Sequence, residues 1–399
     1  MQIFAKTVID TEYVKQSNRV YVSIINMEVV GNMSKFIDLY KTFLIQSNLM
    51  DQYKKVNNLD EIKEIVYKKL DSYFDNKDSL RKNLLTSLLS ESIGLEYLDK
   101  VKGSRRLFEN ILLIYKKSKY ADLRRCIDSV AYWNYYNDRS TANVWNVYNQ
   151  LEDLKTTMET DEIVYRYFNV IGVIIEGIIK YHLMIIYNQL NIIYTIQVTT
   201  QEILNMELGT LVSSVNKFLK NLNVSLPKPK GLSLNQWRNI AYHHTYRLEH
   251  NQIMCETRTG NTIKLTLNEL EALVQKIFET ARALKAAFTI FYIDNVSLLS
   301  KLDKTKYDRK EVAMVDLISF ILSQGYEIIN ADISPEKATI SIKEIFKREY
   351  IFQYVFLLLQ IWKTFKSIDC EINYYSFKGH LFATFSASSE IIQKLDQKD

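Results

Sequence analysis

Apolar positions recur at helical spacing over most of this 399-residue chain. Phe36, Leu39, Tyr40 and Phe43 form one such face. Ile62, Ile65, Val66 and Leu70 form another, within a helix expected over Leu59 to Phe74, and a further helix is expected from Ser79 through the string LRKNLLTSLLSE. The most continuous apolar stripe follows Asp161 and takes in Ile163, Val164, Phe168, Ile171, Ile174, Ile175, Ile178 and Ile179, which predicts a long central helix. Ahead of all these, Ile3 to Ile9 and Val20 to Val30 are rich in β-branched residues and read as strands or a short hairpin.

Helix starts are marked by Ser or Thr followed three residues later by Glu or Gln, a reciprocal cap that satisfies two backbone donors. Thr199 with Glu202 opens a helix expected through Leu219, Ser233 with Gln236 one expected through His250, and Thr266 with Glu269 one expected through Tyr292. Leu270, Val274, Phe278, Ala281 and Leu284 form the apolar face of the last. Pro227, Pro229 and Gly231 keep the first and second segments apart. The string QIMCETRTGNTIKLT alternates around Gly260-Asn261 and predicts a tight hairpin.

Beyond the charged linker KLDKTKYDRKE the pattern changes to a helix over Lys310 to Leu322, strands Tyr326 to Ile333 and Ala338 to Glu344, a helix Arg348 to Phe365, and a hairpin of Cys370 to Phe377 with His380 to Ala387. The expected organisation is mainly α: a mostly helical region over 1–154, a four-helix unit with a hairpin over 155–296, and a small α+β domain over 305–399, built as two similar α-β-β halves.

Composition supports this picture. Ten Gly and three Pro are few for the length, and 47% hydrophobic with 24% charged residues is ordinary for a globular protein. Cys126, Cys255 and Cys370 lie far apart and leave an odd one over, so neither a disulfide framework nor a Cys-rich metal site is indicated. The charged N-terminus MQIFAKTVIDTEYVK lacks the apolar core of an export signal. Phe168 to Ile196 is interrupted by Glu176 and Lys180, so it reads as a buried helix, not a membrane span. Cytoplasmic location is the natural expectation.

A net charge of +5 permits an anionic partner without demanding one. Basic residues crowd between Lys100 and Arg125, followed by the aromatic-rich string YWNYYNDRSTANVWNVY. That pairing suits single-stranded nucleic acid, but a solvated helix face beside core aromatics is the commoner meaning of each half. Glu176, within the apolar stripe, either pairs with Lys180 one turn on or faces a polar site.

Three of the five histidines fall between Ser233 and His250. At about 100° per residue, Trp237, Ile240, Ala241, His244 and Leu248 share one stripe, while Asn235, Asn239, Tyr242, His243 and Tyr246 share the opposite one. His243 is expected to face outward, His244 inward, and His250 to sit favourably at the helix C-terminus. His243, His244, His250 and Cys255 match no usual zinc spacing. No Gly-rich phosphate loop, Gly-x-Ser-x-Gly elbow or His-Glu-x-x-His string occurs, so no cofactor or metal is expected.

Arg238, Asn239 and His243, in the string RNIAYH, resemble the Arg-Asn-x-x-x-His form of the HEPN superfamily motif. The order of helices over 155–296 is also similar to that family. The resemblance implies a metal-independent endoribonuclease in which a ribose 2′-hydroxyl attacks the adjacent phosphate, leaving a 2′,3′-cyclic phosphate. It makes His243 the acid/base, Arg238 the phosphate-binding group and Asn239 an orienting or phosphate-bonding group. Imidazole titrates near neutrality and a guanidinium fork suits phosphoryl oxygens, so the residue types fit the reaction.

Arg238 and His243 lie about 140° apart around a helix. One chain therefore presents them at two edges of a polar face, and a homodimer would bring both pairs into one cleft. His244-Thr245-Tyr246 resembles the His-x-Tyr tail of toxin members silenced by nucleotidylation of the tyrosine, one residue out of step if His243 is catalytic. Tyr246, His244 and Glu176 are thus secondary candidates. Similar proteins serve in bacterial anti-phage or toxin-antitoxin systems, which implies RNA as substrate and an antitoxin or sensor as partner. The rival reading is a non-catalytic HEPN-like RNA-binding or dimerisation module.

Overall fold

The computed structural model describes residues 59–84, 87–154, 157, 159–258, 260–302, 317–318, 321, 325–334, 336–345, 354–365 and 368–396. The expected strands and helix before residue 59, and most of the helix expected from Lys310, lie outside the described residues. The protein is mainly α with two small sheets.

Helix α1 (Leu59–Leu70) is followed by a 3-10 turn, then by α2 (Lys77–Asn83) and α3 (Ser87–Lys100). The helix expected from Ser79 thus begins two residues earlier and is two helices. Asn76 is its cap, with Oδ1 accepting from the N–H groups of Asp78 and Ser79 at 3.1 Å each. Helix α4 (Ser104–Ala121) and the 32-residue α5 (Leu123–Leu154) follow. The apolar stripe after Asp161 forms α6 (Thr160–Ile174), a π turn over Ile175–Ile179, and α7 (Lys180–Ile193). By length and composition this stretch would cross a membrane, but 67% of its most apolar window is buried inside the protein, so it serves as a core helix.

The cap at Thr199 is present, with its N–H donating to Glu202 at 2.7 Å. It opens only the short α8 (Thr200–Leu204), and α9 (Leu208–Lys220) starts afresh, so the single helix expected through Leu219 is two. Helix α10 (Leu234–Tyr242) then leads into an antiparallel meander of β1 (Tyr246–Glu249), β2 (Gln252–Glu256) and β3 (Thr262–Leu265). Helix α11 (Leu267–Asp294) carries the expected cap, with the Thr266 N–H donating to Glu269 at 2.9 Å. It ends at the short α12 (Val296–Leu299).

Helix α11 is buried over most of its circumference beyond its second turn, and it packs against α3, α4, α6 and α7. The region expected to be helical before residue 155 and the four-helix unit expected after it share this core. Trp133 and Trp145 of the aromatic-rich string are buried in it. Of the basic run, Arg105 pairs with Asp99 at 2.8 Å and Lys116 with Asp75 at 2.7 Å, so those two charges are already partnered.

Strands β4 (Tyr326–Ile333), β5 (Lys337–Glu344), β6 (Asp369–Tyr375) and β7 (Leu381–Ala387) lie in sequence order, with β5 and β6 parallel and the outer pairs antiparallel. Helix α13 (Tyr354–Phe365) lies between β5 and β6, since parallel neighbours need a crossover. Helix α14 (Ser389–Asp396), which the sequence pattern did not suggest, closes the unit, and its Ser389 accepts from the Trp362 indole at 2.9 Å.

His182 of α7 is fully buried, 3.0 Å from Ser140 Oγ. Burial, and then the charge of Lys285, push its imidazole down to about 3. An unfolded histidine takes its proton near pH 6.5, so between about 6.5 and 3 the unfolded state binds more protons. Stability is therefore expected to fall as pH drops through that window. Urea unfolding at a series of pH values should show a shallower decline for His182→Gln; an unchanged slope would assign the acid sensitivity to other groups.

Candidate functional site

Helix α10 begins as expected, with the Ser233 N–H donating to Gln236 Oε1 at 3.0 Å. Leu234, Trp237, Ile240 and Ala241 are buried and set the helix against α6 and the π turn. Glycines allow close approaches to α6, at Gly172, and to α9, at Gly209. A Cβ on Gly172 would stand 3.2 Å from the Tyr242 ring, and one on Gly209 would stand 3.3 Å from Asn235.

The expected helix stops eight residues early. After Tyr242 the chain makes a left-handed turn at His244 (φ 50), and the Thr245 N–H bonds back to the Ile240 carbonyl at 3.2 Å. This is a Schellman closure with histidine where glycine is usual. Strand β1 follows, and His250 and Asn251 (φ 48 and 62) form the two-residue turn into β2. Tyr246 and Leu248 are half-buried while Arg247 and Glu249 are exposed, the alternation of a strand. The helical spacing of Leu248 with Ile240 and His244, and of Tyr246 with Asn239 and Tyr242, was coincidental.

The roles expected of two histidines change as a result. His244 is exposed, not core-facing; its ring stacks on Tyr165 with centroids 5.9 Å apart, and Nδ1 lies 3.3 Å from the Tyr246 hydroxyl. His250 sits in a strand turn and caps no helix. Tyr246 stacks on the buried Phe168 at 3.9 Å, and burial pushes its phenol up to about 12, so it anchors the meander to α6.

Glu176 lies in the π turn, where the extra residue in the helical winding redirects side chains. Its carboxylate holds Lys180 at 3.0 Å, the pairing expected, and also takes the Arg238 Nε–H at 2.6 Å. Arg238 Nη1 donates to Asn239 Oδ1 at 3.2 Å, and the guanidinium sits over the Tyr242 ring at 5.3 Å. The turn itself is held by Asn143 of α5, whose amide donates to the Gly177 carbonyl at 2.9 Å. A side chain at Gly177 would meet that amide at 2.7 Å, which explains the glycine.

His243 is exposed at the C-cap of α10, and its N–H still bonds to the Asn239 carbonyl at 3.0 Å. Asn239 thus links the two ends of the motif, holding Arg238 with its side chain and His243 with its backbone. His243 Nε2 lies 3.4 Å from Arg258 Nη2. Guanidinium only donates, so in this contact Nε2 is the acceptor and the ring proton belongs on Nδ1.

The structure therefore groups Arg238, Asn239, Glu176 and Lys180 on one side and His243 with Arg258 at the helix end. Arg258 and Tyr165 had no sequence signal, because the meander and α6 bring them to the histidines from other segments. Cys255 is buried, with its thiol pushed up to about 12, and no metal-holding group of His, Cys, Asp or Glu occurs among the described residues. No family model matches the chain, and no curated protein or solved structure does either.

The positive φ at His244 makes a test of the helix stop. His244→Val is expected to destabilise the protein by about 1–2 kcal/mol, because a β-branched residue resists this conformation. His244→Gly is expected to be near neutral, relief of strain offsetting the lost stacking on Tyr165. Denaturant midpoints measure both, and equal midpoints would show that the turn does not depend on this residue.

Proposed function

We propose that this chain is a metal-independent endoribonuclease of the HEPN type, cleaving RNA by attack of a ribose 2′-hydroxyl to leave a 2′,3′-cyclic phosphate. The observation that carries the reading is the coupling of Arg238, Asn239 and an exposed His243 on one short capped helix. In the proposed reaction His243 moves the proton, while the Arg238 fork, held from behind by Glu176, meets the charge building on the phosphoryl oxygens. Arg258 beside His243 adds a second cation for the phosphate. Two chains joined about a two-fold axis would complete the site. The role that suits this chemistry is that of a cytoplasmic bacterial effector in anti-phage defence or a toxin-antitoxin pair, restrained by a sensor or antitoxin.

One observation favours a second reading, a non-catalytic RNA-binding or dimerisation module. Arg238 gives its Nε–H to Glu176, as an arginine kept only to join α10 to the π turn would do.

Incubation with total RNA in a chelator separates the two. Cleavage with cyclic-phosphate ends is expected, falling by about 100-fold or more in His243→Ala, whose exposed side chain leaves folding intact. Arg238→Lys, which keeps a cation for Glu176 but removes the planar fork, is expected to lose activity similarly while remaining folded. Cleavage that survives both changes would overturn the assignment, and a folded dimer that binds RNA without cutting it would establish the second reading.

A further inference from the structure

Beside the residues assigned to the chemistry lies an aromatic pair with no part in it. Tyr165 of α6 is 49% exposed, and the exposed His244 ring lies within 13° of parallel to it, with centroids 5.9 Å apart. Rings in full face contact would be closer, so these two are offset or held apart, and either arrangement leaves part of a ring face bare. His244 is kept at φ 50, a conformation that glycine would adopt without strain. A ring is thus held where the backbone favours having no side chain. Its Nδ1, 3.3 Å from the Tyr246 hydroxyl, fixes the way it faces, and Tyr246 is itself seated on the buried Phe168.

The pair stands at the end of a continuous strip. Contacts along α6 follow α10 and β1 in reverse: Glu176 meets Arg238, Gly172 lies against the Tyr242 ring, and Tyr165 meets His244. From Glu176 to Tyr165 is about 16 Å at 1.5 Å per helical residue. At about 3.4 Å per stacked nucleotide, that is room for a few nucleotides. His243 and His244 are chain neighbours, and the exposed Arg258 lies beside His243. A group seated here meets a cation and a flat ring surface together. An apolar peptide would leave the guanidinium unanswered and a free anion would leave the rings bare, whereas a nucleotide presents a phosphate and a base face at once.

We propose that Tyr165 and His244 form a subsite for the base of a nucleotide flanking the cleaved phosphate, so that RNA is taken unpaired at this position. The inference rests on the reading of His243 as the place where the phosphate is met. The base stacks on the ring pair while its phosphate lies at His243 and Arg258. A base inside a duplex is already stacked on its neighbours, so only an unpaired one can be splayed onto protein rings.

Binding is tested by fluorescence anisotropy of the full chain with a labelled, mixed-sequence 2′-O-methyl oligoribonucleotide, which lacks the attacking hydroxyl and so reports binding apart from cleavage. The single strand is expected to bind about tenfold or more tightly than the same strand annealed to its complement. Tyr165→Leu and His244→Gly are each expected to weaken single-strand binding by about tenfold, and Tyr165→Phe to retain it. Tyr132→Leu, which removes a ring of equal exposure on α5 next to the basic run, is expected to change nothing. Circular dichroism confirms that each variant is folded. No binding of the single strand, equal affinity for the duplex, wild-type affinity in Tyr165→Leu, or loss of binding in Tyr132→Leu instead would overturn the subsite. A chain that binds through Tyr165 but cuts no RNA would uphold the subsite and refute only the nuclease reading.

Discussion

A carboxylate stands in the most apolar helix of this protein, and the arrangement of the candidate site depends on how it is held. Glu176 lies in a π turn between α6 and α7, paired with Lys180 and with Arg238 of α10. A charge that far into an apolar stripe is tolerated only with partners. Apolar packing sets where α10 lies, and the ion pair decides which way Arg238 points. Asn143 supports the same turn from α5 by binding the Gly177 carbonyl.

The shortness of α10 is the second constraint. Because the helix closes at Tyr242, His243 falls at its exposed end and the following residues are released to form a sheet. The fold-back of β2 and β3 then returns Arg258 to His243. Had the helix run on to His250, the three histidines would have been spread along it. The meander instead gives each a different setting: an exposed ring beside a guanidinium, a ring stacked on Tyr165, and a strand turn.

Helix α5 serves two regions of the molecule. Asn143 faces the π turn behind Arg238, while Asn137, Thr141, Val144 and Trp145 face the cavity bounded by α3 and α11. The two regions are built differently. The surface around His243 is open and carries Arg258, whereas the cavity is lined largely by aromatic rings, with Glu91, Asp138, Arg282 and Lys285 among them.

Local signals in the chain determined the element types and several of their starts. Capping pairs at Thr199, Ser233 and Thr266 are satisfied within four residues, so no distant contact was needed to read them. The strands from Tyr326 onward were legible from their β-branched and aromatic runs, with strict alternation in β6 and a break at the bulge after Ile328 in β4. Arg238, Asn239 and His243 were visible as a string on a helix. Where α10 ends was not legible, because Leu248 fits one helical stripe and Tyr246 the opposite one as well as both fit a strand, and the strand is held by pairing with β2 and by packing of Tyr246 on Phe168. Nor were the second partner of Glu176, the position of Arg258, or the cavity. Each joins residues far apart in the chain, and a contact of that kind exists only once the helices have packed.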